Sequence, residues 1–414
     1  MNRPTRIAYL FSVIMFLSTA SPHGAQGGVV TVANFTQSAS PKSGVVIDAN
    51  GNLYGTTAGS GSTGATVYKL AKGESSVTTI ASIVHGNLGG VTFDADGNLW
   101  GTTTTGGTTG SGTVYKIDKG LSTFNTIASF DGGLGGVSPI AGVTFDADGN
   151  LWGTTYGGGE GAGGTVYMIA KGSNTITTIA SFNYDDGGQP YAGVTFDADG
   201  NLWGATSLGF ISQGTVYMIA KGSNTITTIA SFNGDNGATP YSAVTFDANG
   251  NLFGTTYGGG SDNLGTVYKI PKGANAITTI ASFKDNGFNG ARPLGGVTLD
   301  AYGNLYGTTT QGGGPNGGLG TLFKIEKDSN IITNIGVFNG IDTGYEPWAG
   351  VTFDTDGTLY GTTLGGGFGG QGTIFKYSTV AAVPEPSMCV LFMVGLGVCS
   401  LRKLRRKGLH RILD

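Results

Sequence analysis

The segment GVTFDADGNLWGTT, residues 142–155, recurs seven times along this 414-residue chain with small changes, and no other feature restricts the fold as much. Its first aspartate falls at Asp48, Asp94, Asp146, Asp197, Asp247, Asp300 and Asp354, at spacings of 46 to 54 residues. A repeat of that length corresponds to one four-stranded blade of a propeller. Each unit contains four short segments rich in β-branched and aromatic residues and bounded by glycine: GVTFD, NLWGTT, GTVYKI and ITTIASF. We name these strands A to D. No stretch of the body shows the 3.6-residue apolar period of a helix, so the body reads as all-β.

Counting each strand type tests whether the array closes. Strand C is expected seven times, at 65–70, 112–117, 164–169, 214–219, 265–270, 320–325 and 372–377. Strand D also occurs seven times, but one copy, Thr31 to Phe35, precedes the first strand A, and nothing like it follows Tyr377. Each end of the array therefore lacks what the other has. In a ring the N-terminal strand completes the last blade and removes an exposed edge. A linear solenoid, the alternative, would need a cap at each end rather than a matched deficit. The expected fold is a closed seven-bladed β-propeller over residues 29–377.

Composition agrees with a turn-rich, packed body. There are 78 glycines and only 12% charged residues, without the period of collagen, while 39% apolar residues suffice for a core. Cys389 and Cys399 both lie near the C-terminus, so the body holds no disulfide and depends on packing and strand hydrogen bonds. Leader and tail carry eight of the 22 basic residues, leaving 14 against 24 acidic ones in the body. A body near −10 argues against a nucleic-acid partner.

The recurring DADGN invites two readings. Asp94, Asp96 and Asn98 resemble the opening of a calcium loop, but Gly97 comes too early and the distal glutamate is absent. A tight hairpin in which Asp accepts backbone N–H groups and Gly supplies positive φ accounts for the same residues, so no metal site is assigned. The aromatic residue after Asn-Leu (Tyr54, Trp100, Trp152, Trp203, Phe253, Tyr306, Tyr360) suits packing between blades or, alternatively, a sugar-stacking ladder. The strand C tyrosines (Tyr68, Tyr115, Tyr167, Tyr217, Tyr268) read as packing residues too.

Connection lengths single out one face. The A–B and C–D turns are short and uniform; the B–C and D–A loops, on the opposite face, are long and variable, and such loops on a rigid scaffold are where binding residues sit. Most D–A loops place a bulky residue directly after a proline just before the innermost strand: Ile140, Tyr191, Tyr241, Leu294 and Trp348. These are expected to ring one mouth of the central channel, near Asp185, Asp186, Asp235 and Asp342, either as a plug or as a ligand ring suited to carbohydrate or peptide. The candidate ligand residues are Tyr191, Tyr241, Trp348, Asp185, Asp186 and Asp235.

Catalytic constellations are scarce. His85 is the one histidine of the body, and Glu74, Glu160, Glu326 and Glu346 are scattered, so neither a histidine-based triad nor a repeated histidine metal site is available. A polysaccharide hydrolase or lyase would have to use loop aspartates and tyrosines. No catalytic residue and no cofactor is assigned. The leading reading is a noncatalytic binding module for exopolysaccharide or another envelope component, with an inert spacer as a further alternative.

Residues 1–25 read as a secretory signal, with Arg3 and Arg6 before the apolar stretch Ile7 to Leu17. At the other end, residues 378–387 form a linker containing Pro384-Glu385-Pro386. An apolar run follows at 388–401, then a basic tail, 402–414, with Arg402, Lys403, Arg405 and Arg406. The run is shorter than the ~20 residues of a comfortable span, though its basic flank predicts a cytoplasmic end. This order resembles the PEP-CTERM sorting tail. The resemblance implies a transmembrane sorting helix at 388–401, recognition by an exosortase-like processing enzyme, transient residence in the inner membrane and then surface or extracellular display. The repeats, through GVTFDADGNLWGTT and GTVYKI, look like the GloVer tandem repeat of bacterial surface proteins. That likeness implies export within an exopolysaccharide-producing envelope and supplies no ligand.

Overall fold

The computed structural model describes residues 28–378, apart from 37–39, 60–63, 84–85, 210–211, 285–287 and 315–317. Among these residues, twenty-eight strands form seven four-stranded antiparallel sheets. Six sheets run A-B-C-D in chain order, as in Thr144–Phe145, Leu151–Thr155, Thr165–Ile169 and Thr177–Ser181 of the third blade. The seventh has the order Val30–Asn34, Thr373–Ser378, Thr358–Thr363, Thr352–Phe353, so its outer strand comes from the other end of the chain. The register pairs Val30 with Lys376 and Asn34 with Thr373. Closure continues across the seam between the seventh and first blades. There the Thr352 hydroxyl donates to the Val45 carbonyl at 2.9 Å and the Thr362 hydroxyl to the Ser43 carbonyl at 2.9 Å. The linear alternative is excluded by these contacts.

Burial explains the strand sequences. Strands B and C lie between neighbouring blades and are covered on both faces, which removes the usual alternation: TVYMI at 165–169 is buried at every position but Met168. Strand D is outermost, and TTIAS opens to solvent at its threonines. One strand D residue bulges in each blade; in the third, Ile179 falls between the pairs Val166–Ala180 and Tyr167–Thr178, which adds local twist.

Two expectations of strand length are corrected. Strand A is two residues long, because its preceding carbonyl is taken by a neighbouring blade: the Thr92 hydroxyl donates to Val143 at 2.7 Å and Thr144 to Val194 at 2.8 Å. Strand C starts one residue late in most blades, at Thr165 rather than Gly164, because Gly164 has φ of 103° and leaves the ladder. The only helical element among the described residues is a single 3-10 turn, Gly133–Gly135. No helix among them is long and apolar enough to cross a membrane. The leader, the Pro-Glu-Pro linker, the 388–401 run and the basic tail lie outside the described residues.

The core consists of seven interblade clusters. Tyr167 stacks edge-on against Phe130 of the preceding blade, with centroids 4.9 Å apart, among Val114, Val143, Leu151 and Ile169. Its ring lies over Gly153 of strand B, where a Cβ would come within 2.5 Å of the phenol oxygen. The strand C tyrosines are fully buried and their hydroxyls have no hydrogen-bond partner, while the sixth and seventh blades place Phe323 and Phe375 there. The packing expectation for these residues holds.

Candidate functional site

The two faces of the ring are built from the same repeat in different ways. On the lower face, which carries the A–B and C–D turns, Asp146 Oδ1 accepts the N–H groups of Asp148 and Asn150, and Oδ2 accepts the Asn150 amide and the Trp152 indole N–H at 2.8 Å. Burial raises the carboxyl of Asp146, but these donors more than offset it and hold the group below the ordinary carboxylate range. Asn150 Oδ1 in turn accepts the Lys171 N–H at 3.0 Å, which ties the A–B turn to the C–D turn of the same blade. The arrangement recurs at Asn52, Asn98, Asn201, Asn251 and Asn304. In the seventh blade no turn joins strands C and D, because strand D is Val30–Asn34, and Thr358 stands where the asparagine would be. The recurring carboxylate oxygens thus face N–H donors in a hairpin, as the turn reading requires.

The aromatic residue of strand B joins this network at its polar end and the next blade at its apolar face. Trp152 meets Phe196 edge-on at 5.9 Å, and Trp100, Trp203, Tyr54 and Tyr306 meet Phe145, Phe246, Phe93 and Phe353 in the same way. In three blades a strand C lysine lies over the ring, as Lys116 does over Trp100 at 5.7 Å. These aromatics are packing residues rather than an open ladder. Grooves of ≈ 780 and ≈ 740 Å³ nevertheless open on this face, between the fifth and sixth and between the third and fourth blades.

The upper face holds one backbone device in six of the seven D–A loops. The residue before the proline is non-glycine yet left-handed: Ser40, Ser138, Gln189, Thr239, Arg292 and Glu346 have φ between 36° and 57°. Hydrogen bonds on both sides hold it. The Gln189 N–H donates to Gly163 at 2.7 Å and its carbonyl accepts from Ser207 at 3.3 Å; Thr239 likewise donates to Gln213 and accepts from Tyr257. The proline then packs against the glycine before strand C, so the following residue is aimed over the inner strands.

This geometry brings Tyr191 and Tyr241 together, their rings 4.6 Å apart and edge-to-face. Two residues the sequence reading did not single out extend the row. Tyr156 lies 5.2 Å from Tyr191 and Tyr257 5.6 Å from Tyr241. Both directly follow strand B, a position that reads as loop in the repeat and is tyrosine only in the third and fifth blades. Arg292 ends the row, its guanidinium 4.9 Å over the Tyr257 ring. Tyr191 is 40% exposed and Tyr156, Tyr241 and Tyr257 are half-buried, so the row reaches solvent at Tyr191. Burial pushes the phenols of Tyr156 and Tyr241 up, each with a neighbouring phenol adding to it. Trp348 stands apart with Lys42, whose ammonium lies 5.0 Å from its ring centroid; Ile140 and Leu294 are half-buried.

The aspartates expected beside these rings are elsewhere. Asp186 caps its own loop, accepting the Asn183 N–H on Oδ1 at 3.1 Å, and its carbonyl accepts hydroxyls of Thr215 and Thr228, on strands C and D of the next blade. Asp185 donates its N–H to Asn183 in the same turn. Asp235 precedes Asn236, whose carbonyl receives Thr266 and Thr279 at the equivalent outer position, and Asp342 accepts from Thr31 of the outermost strand of the seventh blade. The loop leaves an outer strand and crosses inward before its proline, so its acidic first half lies at the rim and its aromatic end at the mouth. Burial raises the Asp186 carboxyl, with the charge of Asp185 adding to it.

The family model described as the Gloeobacter/Verrucomicrobia repeat matches residues 40–245 and 209–385. No curated protein matches the chain. Among solved structures, the extracellular domain of a one-component system of B. thetaiotaomicron is similar at 15% identity and a TM-score of 0.55 over 87% of this chain and 42% of that one. The extracellular domain of a hybrid two-component system of the same organism gives 12% identity and a TM-score of 0.56 over 86% and 40%. This chain thus spans about two fifths of those structures, and likeness at such identity concerns the fold.

Proposed function

From the premise that the chain belongs to the Gloeobacter/Verrucomicrobia repeat family, we propose that it is an exported, noncatalytic module that binds an extracellular polysaccharide at the upper mouth of its propeller. The observation that carries this reading is the row of edge-to-face rings Tyr156, Tyr191, Tyr241, Tyr257, which spans three blades and is exposed at Tyr191. Sugar rings offer apolar C–H faces ringed by hydroxyls, and such a face fits against tyrosine rings whose phenols supply hydrogen bonds. A row across several blades suits a polymer better than a single small molecule. Export is supported by the signal-like residues 1–25 and accords with the extracellular domains that share the fold.

Sorting through the Pro384-Glu385-Pro386 motif, by an exosortase-like enzyme acting on a chain held briefly in the inner membrane, belongs to the same proposal.

Affinity electrophoresis of the protein through gels containing single polysaccharides tests the binding. The double substitution Tyr191→Ala/Tyr241→Ala should abolish the retardation while leaving the unfolding transition within a few degrees. Retardation equal to wild type would remove the mouth as the binding site. For sorting, deletion of Pro384 to Pro386 should leave the precursor unprocessed in the membrane fraction; an unchanged mature mass would contradict the anchor.

A further inference from the structure

In a chain with 78 glycines, six left-handed positions at the mouth hold none. Glycine would occupy them without steric penalty, whereas a side chain there costs energy in every folded molecule. The residue before a proline is also pushed toward extended backbone, which opposes the left-handed state further. The hydrogen bonds that fix the backbone are the same in five of these loops, and Ser40 shares the carbonyl bond, yet the side chains differ: Ser, Ser, Gln, Thr, Arg and Glu. A strained site whose backbone repeats and whose side chain varies is a display position.

One member narrows the chemistry. Arg292 is the only arginine within residues 28–378, in a body with an excess of acidic residues. It is half-buried, its guanidinium carbon lies 4.9 Å from the centre of the Tyr257 ring, and no carboxylate pairs with it among the described residues. A guanidinium held over a ring still presents its N–H edge, the edge that engages a carboxylate through two parallel hydrogen bonds, and among the described residues no group occupies that edge.

We propose that the residues preceding the mouth prolines set ligand specificity, and that Arg292 reads the carboxylate of an acidic glycan, one bearing uronate sugars, seated on the tyrosine row. This rests on the binding reading above and adds to it the class of polymer. The other five positions carry hydroxyl, amide and carboxylate groups.

The test compares three polyuronates (polygalacturonate, alginate and a glucuronan) with their carboxyl-reduced forms, using the full-length protein and affinity electrophoresis or calorimetry. Wild type should bind at least one acid form tenfold or more tightly than its reduced counterpart. Arg292→Gln should bring the two forms level, and Arg292→Lys should restore part of the preference. Arg292→Gly removes the strain, so its melting temperature should equal or exceed wild type while the preference is lost; a purely structural arginine would leave the preference in place. Equal binding of acid and reduced forms by wild type, or a preference surviving in Arg292→Gln, would overturn the proposal and leave the mouth reading standing. Binding untouched by Tyr191→Ala/Tyr241→Ala would instead sink the mouth reading itself.

Discussion

The lower and upper faces of this ring are made by one repeat, but they treat their side chains in opposite ways. Below, aspartate, asparagine and an aromatic residue recur in nearly every blade, and their polar atoms are consumed by one another: Asp146 with Asn150 and Trp152, Asn150 with Lys171. Above, the backbone recurs and the side chains do not, so Gln189, Thr239, Arg292 and Glu346 share a conformation without sharing a chemistry. A face whose repeating groups bond to each other is committed to holding the turns. A face that repeats only its hydrogen-bonded backbone is free to present different groups at fixed positions.

The largest effect should come from below. Trp152→Ala removes the edge-on contact with Phe196 and a donor to Asp146. It should cost about 2–4 kcal/mol in a urea titration while leaving glycan retention unchanged. Substituting Tyr241 alone by Ala should show the reverse pattern, a stability loss of about 1 kcal/mol or less, since Tyr241 is part-exposed, and retention weakened about tenfold. If both substitutions affected both properties equally, the division of labour between faces would be lost.

Asp146→Asn should have a smaller effect that depends on pH. The folded carboxyl is held below its ordinary value, so its stabilisation is present above the unfolded value near 4 and disappears as pH falls through the lower folded one. The variant should be less stable than wild type by about 1 kcal/mol at pH 7, and the gap should narrow toward pH 3 in thermal melts. A gap that widens in acid would contradict the assignment of the donors. Least of all, Tyr167→Phe should leave stability unchanged or raise it by up to about 1 kcal/mol, because its hydroxyl is buried without a partner and Phe323 and Phe375 already occupy the equivalent site.

Much of this architecture was legible in the repeat. The seven units, the strand that closes the ring from the other end and the turn role of aspartate follow from period, strand count and turn chemistry. The second role of asparagine, which reaches the C–D turn some 20 residues away, was not legible, because spacing within a turn says nothing of a partner beyond it. The mouth prolines were visible, but the left-handed residue before each was not, since nothing in Gln-Pro or Arg-Pro marks positive φ and tertiary hydrogen bonds impose it. Placing Asp185, Asp186 and Asp235 beside the tyrosines treated the D–A loop as a point. It spans the blade from rim to channel, and its two halves end in different surroundings.

Hydrogen–deuterium exchange with and without the best-retained polysaccharide tests the central claim most directly, because it maps contact on both faces at once. The account predicts added protection in peptides covering 138–142, 189–193, 239–243 and 291–295, with none at the lower turns. Protection confined to 247–251, 300–304 and 326–330, which line the ≈ 780 Å³ groove of the lower face, would contradict it.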